Sequence, residues 1–171
     1  MAGAVGTHTS CLTSQTGVIS YFPNPVQISS IVSIHNQVRS SVDPPGTDLR
    51  AVLWDLGLAS SAQKWAEYTV PNLASDCSNC RKLVNNRSIN VGQNTYILDG
   101  ASYDQNSFWS TVIGSWSNQS SNFLYGSPSG SKTGKFFEFM SLKTSFLVPL
   151  LHNSNKILFI DDFFTKKIFH K

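Results

Sequence analysis

The sequence predicts an α+β domain in which helices outnumber strands. Three observations carry that expectation. Three segments repeat apolar residues at three- and four-residue spacing, the signature of one buried helix face. One segment, between the second and third of these, alternates in part between apolar and polar residues, as a half-buried strand does. The stretches between them are rich in Pro, Gly, Ser and Asn, which stop regular structure. A chain of 171 residues with 40% hydrophobic and 12% aromatic content has the length and apolar content for one domain with a real core.

Residues 1–25 are polar and turn-rich, ending in Phe22-Pro23-Asn24-Pro25, and read as an extended lead-in. The first helix follows, with Ile28, Ile31, Val32, His35 and Val38 on one face. Asp43-Pro44-Pro45-Gly46 stops it, because proline has no amide to donate and disfavours helical geometry in the residue before it. Leu53-Trp54-Asp55 leads into the second helix, whose seam is Leu58, Ala62, Trp65, Ala66 and Thr69, with Pro71 at its end. The next stretch, to about Ser88, is loop by composition. Ile89 to Leu98 reads as a strand interrupted at Gly92, and Ser107 to Ser117 as a third helix carrying Phe108, Val112, Ile113 and Trp116. Ser120 to Lys135 is Ser/Gly-rich loop. From Phe136 the chain is rich in Phe, Leu, Lys and Ser without amphipathic order.

Charge narrows the function classes. Charged residues make up 13% of the chain and the formal charge is +3, against a usual charged share of about a quarter. The surface therefore leans on Ser, Asn, Gln and Thr, a composition more typical of secreted proteins. Seven of the thirteen Lys and Arg residues lie from Lys132 onward, but no basic run is long enough to argue for nucleic acid. No stretch approaches the roughly 20 apolar residues of a membrane span. Met1 to Ser20 has neither the basic start nor the apolar run of a signal peptide. Asn86-Arg87-Ser88 and Asn118-Gln119-Ser120 are N-glycosylation sequons, relevant only on the secretory route. Of the three cysteines, Cys77 and Cys80 form a C-x-x-C in a loop context. A local disulfide or two plain thiols fits that context better than redox chemistry or a structural zinc, which needs about four N or S ligands.

Several pieces in order resemble the CAP superfamily, in particular its cysteine-rich secretory and snake-venom branch. They are Ile34-His35-Asn36-Gln37-Val38-Arg39, Asp43-Pro44-Pro45, Val52-Leu53-Trp54-Asp55 and Ala62-Gln63-Lys64-Trp65-Ala66. The match continues with Val91-Gly92-Gln93-Asn94, Gly114-Ser115-Trp116, Phe123-Leu124-Tyr125-Gly126 and Thr133-Gly134-Lys135-Phe136. It covers about residues 28 to 136. The resemblance implies a CAP-type α-β-α sandwich, truncated and with few sheet strands, laid out as a lead-in (1–25), a partial CAP domain (26–136) and a divergent tail of unknown structure (137–171). It makes His35, Trp54, Trp65 and Trp116 core residues. Thr69 and Val91 stand where the cysteine-rich secretory proteins usually carry Cys.

The same resemblance locates a cavity where many relatives keep two His and two Glu, ligand types that hold zinc. Here the first Glu is Gln93, the second falls on about Gln119, and one His is Lys135. The other His belongs between Leu73 and Cys80, where there is none. An amide hydrogen-bonds but offers neither an anionic ligand nor a proton acceptor near neutral pH. Neither a bound metal nor another cofactor is expected, and no enzyme activity. The chain has no G-x-S-x-G and no Gly-rich phosphate loop, and nothing local favours His8, His35, His152 or His170 as part of a Ser-His-Asp set.

The resemblance therefore implies a non-catalytic, secreted-type (venom allergen-like) binding module, extracellular despite the missing leader, with a protein, sterol or lipid as partner. The alternative is a truncated or alternatively spliced product without independent function. The family's later strands have no counterpart after Lys135, and the composition of the tail favours an alternative exon or read-through. Each large apolar side chain left unburied forfeits about 1.5–3 kcal/mol. Unless the tail substitutes for those strands, the expectation is marginal stability, with no cooperative melting above about 50 °C.

Overall fold

A computed structural model describes residues 7–20, 22–43, 49, 51–69, 74–83, 86–99, 107–118, 147–151 and 156–164; for 19, 86–90, 98–99, 147–151 and 156–164 it describes the backbone alone. Among these residues the regular elements are a 3-10 turn (Thr9–Cys11), helices α1 (Pro25–Ser40), α2 (Leu56–Thr69) and α3 (Phe108–Ser117), and strands β1 (Ile19–Ser20), β2 (Lys82–Leu83), β3 (Asn86–Asp99), β4 (Leu147–Leu151) and β5 (Lys156–Phe164).

Local chemistry explains the helix starts. Asn24 and Gln27 form a reciprocal capping box: the Gln27 amide donates to Asn24 Oδ1 at 3.0 Å, and the Asn24 amide donates to Gln27 Oε1 at 2.9 Å. Pro25 sits in the first turn, where a missing N–H is harmless. The helix therefore begins three residues before the periodicity suggested. At α2 the Asp55 carboxylate accepts from the amides of Gly57 (2.8 Å) and Leu58 (3.1 Å), which occupies two donors that the first turn leaves open. Gly17, with φ 79°, makes the left-handed turn that delivers the chain into β1.

The strands form one antiparallel sheet in the order β1-β4-β5-β3-β2. Its centre is β5, paired with β3 from Val91–Phe164 to Asp99–Lys156 and with β4 from Leu147–Asp161 to Leu151–Ile157. The tail thus supplies two strands of the sheet. β3 begins at Asn86, inside the stretch that reads as loop by composition, and runs through Gly92 without a break. Among the described residues β1 pairs with Leu150 and Leu151 and β5 alone pairs with Pro149, near the edge of the sheet, where a missing N–H is best tolerated.

Helices cover both faces. Val91 of β3 packs with Leu58 and Ala59 of α2. Tyr96, on the opposite face by strand alternation, packs against a cluster of Ile31, Val52, Phe108, Trp109, Val112, Ile113 and Trp116 from α1, α3 and the segment before α2. This is an α-β-α sandwich. His35 is fully buried, its Nδ1 2.9 Å from the Ile31 carbonyl oxygen. Asn36 pins the Val52 segment to α1: Nδ2 donates to the Val52 carbonyl at 3.1 Å and the Val52 amide donates to Oδ1 at 2.8 Å. Trp65 and Trp116 are buried, while Trp54 is half-buried and touches two of the core clusters. Burial pulls the Arg39 guanidinium down to about 10, which leaves it charged at neutral pH. No helix among the described residues is long and apolar enough to cross a membrane.

Candidate functional site

Alternation along β3 puts Gln93 on the α2 face together with Val91. Its side chain is buried, and its Oε1 accepts from the Asp76 amide at 2.9 Å. Asp76 lies in the interval where the family pattern calls for a histidine. Its carboxylate accepts from the Thr9 hydroxyl on one oxygen and from the Cys77 amide, at 2.7 Å, on the other. Arg81 braces the same loop: Nη1 donates to the Asp76 carbonyl at 2.8 Å and Nε to the Val91 carbonyl at 2.7 Å. Burial raises the Asp76 carboxyl above its ordinary range, a push that the Thr9 and Cys77 hydrogen bonds and the charges of Arg81 and His8 only partly offset.

Cys77 and Cys80 are joined by a disulfide across the turn after Asp76, with Cα atoms 5.2 Å apart. Asp76, Cys77 and Cys80 bring potential ligand atoms within 4.8 Å of one another, but the disulfide occupies both sulfurs. Gln119 and Lys135, the other expected cavity positions, lie outside the described residues. Asn118 is exposed at the C-cap of α3, and Asn86 opens β3 opposite Leu83.

The residues that sequence reasoning missed are those joining the N-terminal segment to this loop. The Thr9 amide donates to the Cys80 carbonyl at 3.1 Å, and His8 Nε2 lies 2.8 Å from the Lys82 carbonyl oxygen. Farther along, Ser14 and Ser20 donate to the two oxygens of Glu67, which also accepts from Gln63 Nε2 at 2.7 Å and pairs with Lys64 at 3.6 Å. Leu12 and Val18 pack on Ala62, Trp65 and Ala66. No local pattern signals the contacts of His8, Thr9, Leu12, Ser14, Val18 and Ser20, because each joins residues far apart in sequence. The expected lead-in is therefore docked along α2.

Burial would raise the Glu67 carboxyl, but the Ser14, Ser20 and Gln63 hydrogen bonds and the Lys64 charge outweigh it and hold the group below its ordinary range. A depressed folded-state value adds stability above the unfolded-state value and loses it as pH falls through the folded one. Glu67→Gln is therefore expected to flatten the decline of Tm between about pH 5 and pH 3. Melting curves of the two proteins across that range check it, and parallel declines would remove Glu67 from the acid response. Asp76, shifted the opposite way, works against the decline in both proteins.

A sheet sandwiched between helices is the architecture of a CAP-type domain. A family model described as "CAP: Cysteine-rich secretory protein family" matches residues 32–157, and the chain belongs to that family. The match extends past residue 136, where the quoted motifs end, and reaches the start of β5. Cysteine-rich secretory protein 2 of Cavia porcellus is 35% identical over 98 residues, covering 57% of this chain and 36% of the relative. Allurin of Xenopus tropicalis is 31% identical over 96 residues, 56% of this chain and 44% of the relative. The chain thus spans less than half the length of these relatives. Among solved structures, hookworm platelet inhibitor aligns at TM-score 0.62 with 12% identity, covering 94% of this chain and 77% of the other. NaASP2 with Zn2+ aligns at 0.64 with 14% identity, covering 87% and 82%. At such identities the likeness concerns the fold.

Proposed function

We propose that this domain is a non-catalytic, extracellular binding module that acts on a protein, sterol or lipid partner through its surface. The observation that carries the reading is Gln93. At a cavity position where metal-binding relatives hold a carboxylate, this chain has a buried neutral amide whose oxygen is already engaged by the Asp76 backbone. An amide supplies no charge to a divalent cation and takes no proton near neutral pH. Lys135, at the position of a family histidine, supports the same conclusion by chemistry alone. On this reading Asn86 and Asn118 are glycan acceptors, and Asn118 is well placed as an exposed residue just past a helix.

Calorimetric titration of the purified chain with zinc, run beside esterase and peptidase assays, tests the proposal. The expected result is no saturable zinc binding and no hydrolysis above blank. Metal-dependent hydrolysis that survives purification and is abolished by Gln93→Ala would overturn it.

A further inference from the structure

Among the described residues, Asp76, Cys77 and Cys80 bring one potential ligand atom each to within 4.8 Å of one another. Asp76 is only 6% exposed, so its carboxylate is not one of the many acidic groups that simply face solvent. The Thr9 hydroxyl and the Cys77 amide engage one oxygen each, which fixes the carboxylate and leaves lone pairs on both oxygens. The two sulfurs are kept close by more than their own bond. The amides of Cys80 (2.9 Å) and Arg81 (3.2 Å) both donate to the Cys77 carbonyl, and these backbone bonds close the turn independently of the sulfurs. Cys77 is exposed, so a reductant in solution reaches the S–S bond.

We propose that this loop is a redox-gated site for a thiophilic divalent cation such as zinc, closed while the disulfide stands and open once it is reduced. A dithiol reductant gives two electrons and two protons to the S–S bond and is itself oxidised to a disulfide, leaving thiols on Cys77 and Cys80. The cation then displaces both thiol protons into solvent and is bound by two thiolates and the Asp76 carboxylate. The C-x-x-C spacing suits zinc, and two sulfurs with one carboxylate oxygen leave the fourth tetrahedral position to water. The charges balance: three anionic ligands face a divalent cation and the Arg81 guanidinium, whose charge already acts on Asp76. Thr9 orients the carboxylate from outside the ligand set, so loading of the site also depends on the docked N-terminal segment. The site asks nothing of the Gln93 side chain beyond its bond to the Asp76 backbone, and the oxidised chain has no free sulfur here to offer.

The full chain carrying Cys11→Ser, so that the thiol outside the cluster adds no ligand, is reduced with dithiothreitol, freed of reductant by gel filtration under argon and titrated with cobalt(II). The expected result is a thiolate-to-cobalt charge-transfer band with the strong visible bands of tetrahedral cobalt, saturating at one ion per chain and displaced by zinc. The same protein left oxidised should show neither. Asp76→Asn should weaken binding by about tenfold or more, as loss of even an outer partner of a metal site does, and Asp76→Glu should restore most of it. Absence of the charge-transfer band in the reduced chain overturns the proposal, as does equal binding by the oxidised chain. Saturation at half an ion per chain overturns it too, since two chains would then share the ion through their thiols. Binding unchanged by Asp76→Asn overturns the assignment of the carboxylate as a ligand.

Discussion

Ending the chain at Phe146 is expected to abolish cooperative unfolding. The truncation removes β4 and β5, and with β5 the strand that joins the two halves of the sheet. What remains of the sheet is the β2–β3 pair, with β1 left without its only partner strand in the sheet order. A two-stranded ribbon is marginal in water. The residues of α2 that face the sheet would lose the surface they cover, at about 1.5–3 kcal/mol for each large side chain. Net stability of a domain is only about 5–15 kcal/mol, so a few such losses suffice. Urea titration followed by near-ultraviolet circular dichroism provides the check. The full chain should give a sigmoidal transition and the truncated one a shallow, sloping signal. A truncated chain with an unchanged midpoint and slope would show that residues 147–164 contribute nothing to the fold, and would restore the reading of the tail as an irrelevant appendage.

Trp116→Ala is expected to be the most damaging single substitution in the helices. Trp116 is fully buried in the cluster formed by α1 and α3, and its indole Nε1 donates to the Thr95 carbonyl of β3 at 3.2 Å. Truncation leaves a cavity at the junction of helix and sheet and removes the indole hydrogen bond that ties α3 to β3. The cost is about 3–5 kcal/mol for such a deletion, which lowers Tm by roughly 10–15 °C in a chain of this size. Leu53→Ala, at a side chain 67% exposed, should stay within about 0.5 kcal/mol. Calorimetric melting of both variants separates the cases. A fall of less than about 3 °C for Trp116→Ala would mean that the cluster collapses around the gap and that Trp116 is not its keystone.

The helices and the family were legible because their signals are local. Ile31 and His35, or Leu58, Ala62 and Trp65, sit on one face by spacing alone, and that face is buried. The C-x-x-C invited a local link for the same reason, since residues three apart meet without help from the fold. The start of α1 was legible too, in Asn24, Pro25 and Gln27, once capping is weighed alongside periodicity. The two tail strands were not. Leu147 to Leu151 and Ile157 to Ile160 are continuous apolar runs, the pattern of strands enclosed by neighbours, and such runs show no alternation to distinguish them from unstructured apolar sequence. Pro149, which has no amide to give to a ladder, obscures the first of them further. The polar site was the least legible part. Thr9 and Asp76 are 67 residues apart, and nothing in either neighbourhood names the other. The same holds for Ser14 and Ser20 with Glu67. Only Gln93 was visible beforehand, because a family motif marks its position.

The strand order also sets a timetable for synthesis. β1 emerges from the ribosome early, yet its partner is β4, and β4 joins the rest of the sheet only through β5. Both β1 and the long strand β3 must wait for residues 147–164. Until then β3 presents an unpaired edge along Val91 to Asp99, the template on which stray strands associate. Such long-range closure slows folding and prolongs exposure to aggregation. A nascent chain of this design depends on rapid completion, or on a chaperone that shields β3 until β5 arrives.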